Sequence, residues 1–377
     1  MIRALALLLL LAAAPAAAQT GPAAAAEAAA ERLDRAARLL AEAESGSDQV
    51  AALTETVRAY EDGLDAMRDG LRRAAIRERT LSVEFAARRG ELSRLLGVLT
   101  TLSTAPTPLL LLHPSGPTGT ARSGMILSEA TPALQREVAR LTEQLEELEL
   151  LRALQTSAAD TLEAGLLGAQ EARAALSQAI AERRDLPRRY TEDRAAMASL
   201  LASTETLTAF AGGLAETVGE ELPGPSPDAT ARKGTLALPA QGRVLRGYAQ
   251  ADAAGVARPG WLIATRAQTL VTAPVAATVR YAGPLLDYGN VVIIEPASDV
   301  LFVFAGLGEV YGATGEVVPE GAPLGVMGGA SADIDAILTE TAGGADAPLS
   351  ETLYVEVREA QETVDPGTWF AEFGGTE

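Results

Sequence analysis

From Leu53 onward apolar residues recur at alternating steps of four and three: Leu53, Val57, Tyr60, Leu64, Met67, Leu71, Ala74, then Leu81, Phe85, Leu92, Leu95 and Leu99. Only Glu78 and Arg88 break the seam. A mean period of 3.5 held over this length predicts a left-handed coiled coil. A second seam runs through Leu134, Val138, Leu141, Leu145 and Leu148, then Ala159, Leu162, Leu166, Ala169, Leu176 and Ile180, with polar Arg152 and Gln155 between. Each seam spans roughly 70 Å at the rise of an α-helix, so two of equal length predict an antiparallel hairpin over residues 19–187. An intermolecular parallel dimer is the alternative. Residues 104–124 form the expected tip, because Pro106, Pro108, Pro114, Gly116, Pro117 and Gly119 are expected to continue neither helix.

A third helical segment is expected over residues 188–218, with Met197, Leu200, Leu201, Leu207, Phe210 and Leu214 on a face broader than a coiled-coil seam. Such a face must be covered. It either extends the helical bundle or lies over another surface. Residues 219–234, rich in Pro and Gly, predict a linker. From Thr235 the pattern changes to short β-type runs at 236–238, 261–265, 269–272, 277–282, 290–295, 301–304, 324–327 and 353–358. Turn residues punctuate them at a spacing that indicates an all-β sandwich or barrel-like sheet over residues 235–377. The fold class is therefore α+β and multidomain: a long antiparallel coiled-coil hairpin followed by an all-β domain.

Residues 1–18 read as a cleavable secretory signal peptide: Arg3, an apolar run from Ala4 to Ala14, Pro15, and the small-residue site Ala16-Ala17-Ala18. No later run is long and apolar enough to span a bilayer, so export without membrane insertion is expected. The chain has 377 residues, no Cys and one His, His113 in the tip. That excludes disulfides, thiolate nucleophiles and Cys-ligated zinc, and a single imidazole does not make the usual catalytic metal site. A formal net charge of -19 has the wrong sign for nucleic acid. Lys233 is the only lysine, so amine-based catalysis has no candidate within the β domain. No cofactor is expected.

The ordered blocks Trp261-Leu262-Ile263-Ala264, Val279 to Pro284, Tyr288-Gly289-Asn290 to Ile294, Gly315 to Val318, Gly321 to Gly325 and Leu353 to Arg358, closing with Val364-Asp365-Pro366, resemble a LytM (lysostaphin-type) peptidase domain. With the leader and the hairpin, the chain resembles the EnvC-like murein hydrolase activators. Active LytM members bind zinc through H-x-G-x-D and H-x-H motifs. The resemblance sets the first on Arg258-Pro259-Gly260-Trp261-Leu262 and the second on Thr352-Leu353-Tyr354, so Arg258, Leu262 and Tyr354 stand at lost ligand positions. Gly306 stands where another catalytic histidine is found. The resemblance thus implies a degenerate peptidase without zinc or catalysis, whose groove binds a partner through Arg258, Tyr354, Arg358, Glu356 and Tyr288. Alternation along a strand sets Tyr354, Glu356 and Arg358 on one face, where Arg358 and Glu356 can simply pair.

The implied partners are an N-acetylmuramoyl-L-alanine amidase, which the groove would switch on, and the periplasmic part of FtsEX, which would grip the coiled coil in the periplasm. Peptidoglycan is a further implied ligand. In this family a restraining arm covers the groove, a role the 188–218 segment could fill. A periplasmic coiled-coil adaptor and a peptidoglycan-binding structural protein are the competing readings. Residues 330–349 make a longer connection before the last strand than the family usually has.

Overall fold

The computed structural model describes residues 22–104, 117–183, 194–203, 206–216, 228–251, 255–330, 337, 349–360 and 362–371. The expected leader and His113 lie outside these residues, as do residues 105–116 of the expected tip and most of the 330–349 connection.

Helices α2 (Gly46–Thr104) and α3 (Pro117–Glu182) run antiparallel. Arg173 meets Glu61, Arg152 meets Glu78 and Glu137 lies near Arg88, so numbers fall along one helix as they rise along the other. Leu64, Leu71, Leu81, Leu162 and Leu176 are buried. Helix α1 (Pro22–Glu42) lies along the root of α2: Gly63 passes close to Ala29, and Arg32 pairs with Asp62. Farther out the seam is partly polar. Leu145 and Val138, both expected inside it, are exposed, and the ion pairs Arg77–Glu147 and Arg152–Glu78 bridge the helices instead. Glu78 interrupts the apolar stripe, and a carboxylate there needs partners, which Arg152 and Gln155 supply.

The expected 104–124 tip is shorter than the proline and glycine count implied, because α3 already begins at Pro117. Proline is tolerated at the first helical position, where its missing N–H has no partner to lose. In place of the single helix expected over 188–218, the described residues hold two: α4 (Arg194–Ser203) and α5 (Leu207–Glu216). Thr206 starts α5 anew, its hydroxyl accepting from the Ala209 N–H at 3.1 Å. The expected 219–234 linker also ends early. Helix α6 (Asp228–Ala231) buries Ala229 in the β-domain core, Arg232 pairs with Glu320, and Lys233 pairs with Glu359 while lying 5.3 Å from the centre of the Trp369 ring.

Among the described residues the β domain is one antiparallel sheet of ten strands: β1 (Arg243–Arg246), β2 (Trp261–Thr265), β3 (Leu270–Thr272), β4 (Ala277–Pro284), β5 (Asn290–Ala297), β6 (Val300–Val310), β7 (Val317–Val318), β8 (Pro323–Met327), β9 (Glu351–Glu359) and β10 (Glu362–Val364). The order is β1-β2-β9-β6-β5-β4-β7, with β10 beside β9 and β8 joining β6 to β3. The expected 236–238 strand is reduced to a single bridge between Leu236 and Phe370. One face of the sheet carries the main core, in which Phe302, Phe304, Val355 and Val357 pack with Trp369 and Phe370. The Phe302 and Trp369 rings meet edge-on at 5.2 Å. The other face carries the candidate site. Among the described residues no helix is long and apolar enough to cross a membrane.

A candidate binding groove covered by a helix

Pairing of β9 with its neighbours fixes the site. Across β6, Tyr354 stands opposite Ala305, Glu356 opposite Val303 and Arg358 opposite Leu301; across β2, Tyr354 faces Leu262. Alternate residues of β9 therefore project from the face opposite the Trp369 core. The Tyr354 hydroxyl donates to Glu356 Oε2 at 2.7 Å, and Arg358 Nη1 donates to Glu356 Oε1 at 3.0 Å. Glu356 is fully buried between them at 0% exposure. Burial raises the Glu356 carboxyl above the ordinary range, against the pull of its two donors, and burial beside that carboxylate raises the Tyr354 phenol. Tyr354 thus stays a neutral donor.

Gly260 makes room for this arrangement, since a Cβ there would fall 2.7 Å from the Tyr354 ring and 2.6 Å from the Val355 carbonyl oxygen. Of the residues read from the sequence as lining the groove, Tyr354, Glu356 and Arg358 come together, and Leu262 and half-buried Tyr288 pack on the same cluster. Arg258 stands apart on the exposed rim, close enough for its charge to lower the Tyr354 phenol slightly.

This face is not open. Leu207, Phe210, Ala211 and Leu214, spaced as one stripe of α5, are buried against Tyr281, Leu285, Val291, Ile293, Leu301 and Val303. Phe210 meets Tyr281 edge-on at 4.8 Å and 72°. Met197, Leu200 and Leu201 of α4 pack on the edge of the same cluster. Two buried arginines reach the helix from below. Arg280 donates from Nη2 to the Leu214 carbonyl at 3.4 Å and from Nη1 to Glu295 at 3.0 Å, and the Arg358 guanidinium lies under Gly212. A cation at the last turn suits the unsatisfied carbonyls there. The broad apolar face of the 188–218 segment is thus spent on the sheet. Arg280 was not singled out from the sequence, although it is the only charge within the apolar strand β4, which was the available clue.

Residues 257–366 match the model of Peptidase family M23. All five groove residues of the sequence reading lie inside the M23 match, whereas α4 and α5 precede it. Among solved structures the chain is similar to Helicobacter pylori Csd3, at 18% identity over 37% of this chain and 36% of that one, with a TM-score of 0.28. A putative M23 peptidase from Pseudomonas aeruginosa gives 20% identity over 46% and 64%, with a TM-score of 0.32. A zinc-containing peptidase from Vibrio cholerae gives 18% over 37% and 41%, with a TM-score of 0.29. The chain spans between about a third and two thirds of the length of these proteins. No curated protein matches the chain. Among the described residues no three or more His, Cys, Asp or Glu side chains gather in a way that could hold a metal ion.

Proposed function

We propose that the chain is a non-catalytic periplasmic activator of peptidoglycan amidases, whose M23-type sheet face is a docking groove and whose α5 holds that groove shut. The observation that carries this reading is the seating of Leu207, Phe210, Ala211 and Leu214 on the face that bears Tyr354, Glu356 and Arg358.

The residues do not fit zinc. A guanidinium, a leucine and a neutral phenol stand at the positions that the LytM resemblance equates with ligands, and none donates a lone pair to Zn²⁺ as imidazole or carboxylate does. Glu356 is the carboxylate at the centre of the cluster, and its two oxygens are engaged by Tyr354 and Arg358.

Binding follows from what lies beneath α5. An apolar trough of Tyr281, Leu285, Val291, Ile293, Leu301 and Val303, ending at two arginines, suits an amphipathic helix with apolar residues at i, i+3, i+4 and i+7. A partner helix from an N-acetylmuramoyl-L-alanine amidase would compete with α5 for this trough. By linkage it would drive the exchange only by binding the uncovered groove better than the covered one. The hairpin is the proposed handle for FtsEX. Digestion of sacculi by a purified N-acetylmuramoyl-L-alanine amidase, with the full chain or its Phe210→Asp variant added, tests the reading: the variant, with α5 loosened, should stimulate more strongly at equal concentration. Equal or weaker stimulation by a folded variant would refute self-restraint.

A further inference from the structure

Away from the groove, the hairpin root is docked on the β domain. Strand β3 pairs with β8 on one edge; on the other, the Thr272 N–H donates to the Pro239 carbonyl at 2.8 Å and α2 lies against the Leu270 end. A polar row along α2 makes the contact: Arg58 bonds Thr272, Glu61 accepts the Leu270 N–H at 3.0 Å, Asp62 accepts from Gln241, and Asp65 pairs with Arg266 at 2.8 Å. Ser177 of α3 bonds the Tyr311 hydroxyl at 3.0 Å, and Arg183, just past the end of α3, lies 3.7 Å from Glu316. Apolar contacts flank the row, with Val50, Val57 and Leu176 against Leu270, Tyr311 and Val326. Farther along the hairpin, Ile337 from the long β8–β9 connection is buried among Leu64, Leu71, Leu162 and Ala169.

Glu61 is the group on which these elements converge. Its Oε1 accepts from Leu270 of β3 and, at 2.9 Å, from Arg173 of α3. We propose that the hairpin root is a releasable joint on the edge of β3, pinned by the Glu61 carboxyl and loosened when that carboxyl loses its proton. The charged and titratable groups around the pin are Glu55, Arg58, Asp62, Asp65 and Arg68 on α2, Arg32 on α1, Arg173 on α3, Arg266 between β2 and β3, and Glu309 and Tyr311 beside Arg173. Burial pushes Glu61 up to about 7 in the docked state despite Arg173. Undocked and solvated, the carboxyl returns to its ordinary range. The docked state therefore binds the proton more tightly. Its advantage is complete below the solvated value and is lost as pH rises through about 7. The joint tightens in acid and loosens on the alkaline side. This does not depend on which partner the groove binds.

Exchange of the Leu270 amide reads the joint directly, because that N–H is donated to Glu61. In the full chain its protection, corrected for intrinsic rate, should fall by roughly 30-fold between pH 5.5 and 8.5. Amides of β6 should hold. Glu61→Gln, which keeps an acceptor without the charge, should make Leu270 protection independent of pH. Ile337→Ala, at the far end of the contact, should lower Leu270 protection roughly tenfold or more if the joint opens as a unit. PH-independent protection in the wild type, an unaltered pH dependence in Glu61→Gln, or unchanged protection in Ile337→Ala would each overturn the proposal.

Discussion

Gly212 of α5 sits over Arg358 of β9, where a Cβ would come within 3.4 Å of the guanidinium Nη2. At position 212 there is room for a methyl group and for nothing larger above the buried Tyr354–Glu356–Arg358 cluster.

Two substitutions at Gly212 are therefore expected to act in opposite directions. Gly212→Ala adds a tolerable contact and up to ~1 kcal/mol of helix propensity, so it should hold the groove shut. Gly212→Leu drives a branched side chain into Arg358 and should prise α5 away. Amidase stimulation should fall below wild type for the first and rise above it for the second.

Arg280 joins the sheet to the last turn of α5 through the Leu214 carbonyl and is paired with partly buried Glu295. Arg280→Met removes both contacts and leaves Glu295 without this partner, at an expected cost of about 3–5 kcal/mol. Urea denaturation of the full chain measures the loss. The double variant with Glu295→Leu should recover much of it, since no carboxylate is then left behind.

Gly260→Ala places a methyl where the Tyr354 ring and the Val355 carbonyl already are. Overpacking of this kind costs about 1–3 kcal/mol. The melting temperature should drop, and the same change made in a Tyr354→Ala background should lower it less, since the ring part of the clash is then gone.

Metal analysis of the full chain, after incubation with Zn²⁺ and dialysis, should find well below one zinc per chain, on the order of 0.1 or less. A stoichiometric ion that survives dialysis, together with cleavage of muropeptides by the chain alone, would overturn the non-catalytic reading.

Much of the architecture was legible because it rests on periodicity. Strands β2 and β9 and both long helices follow from runs of Val, Ile and Leu at fixed spacing, and alternation correctly set Tyr354, Glu356 and Arg358 on one face. Helix boundaries were less legible. Pro117 and Thr206 act through local geometry, one as a first-turn proline and the other as a cap, and composition alone misread both. The long-range contacts were hidden for a different reason. Glu61, Asp62 and Asp65 look like an ordinary solvated helix face, and only the β3 edge opposite them gives them partners. The same holds for α5: its stripe announced that something must cover it, while the surface it covers is assembled from strands up to 150 residues away in the chain.

The chain fastens α5 on its C-terminal side through the eleven residues 217–227 to α6, which is sewn into the β domain. Such a tether reaches at most about 40 Å. A displaced α5 therefore remains at an effective concentration on the order of millimolar beside its own seat. On the proposed reading, any rival occupant is opposed by a competitor that never diffuses away, so re-closure would be a first-order event that dilution does not slow, and the off-switch would travel with the molecule.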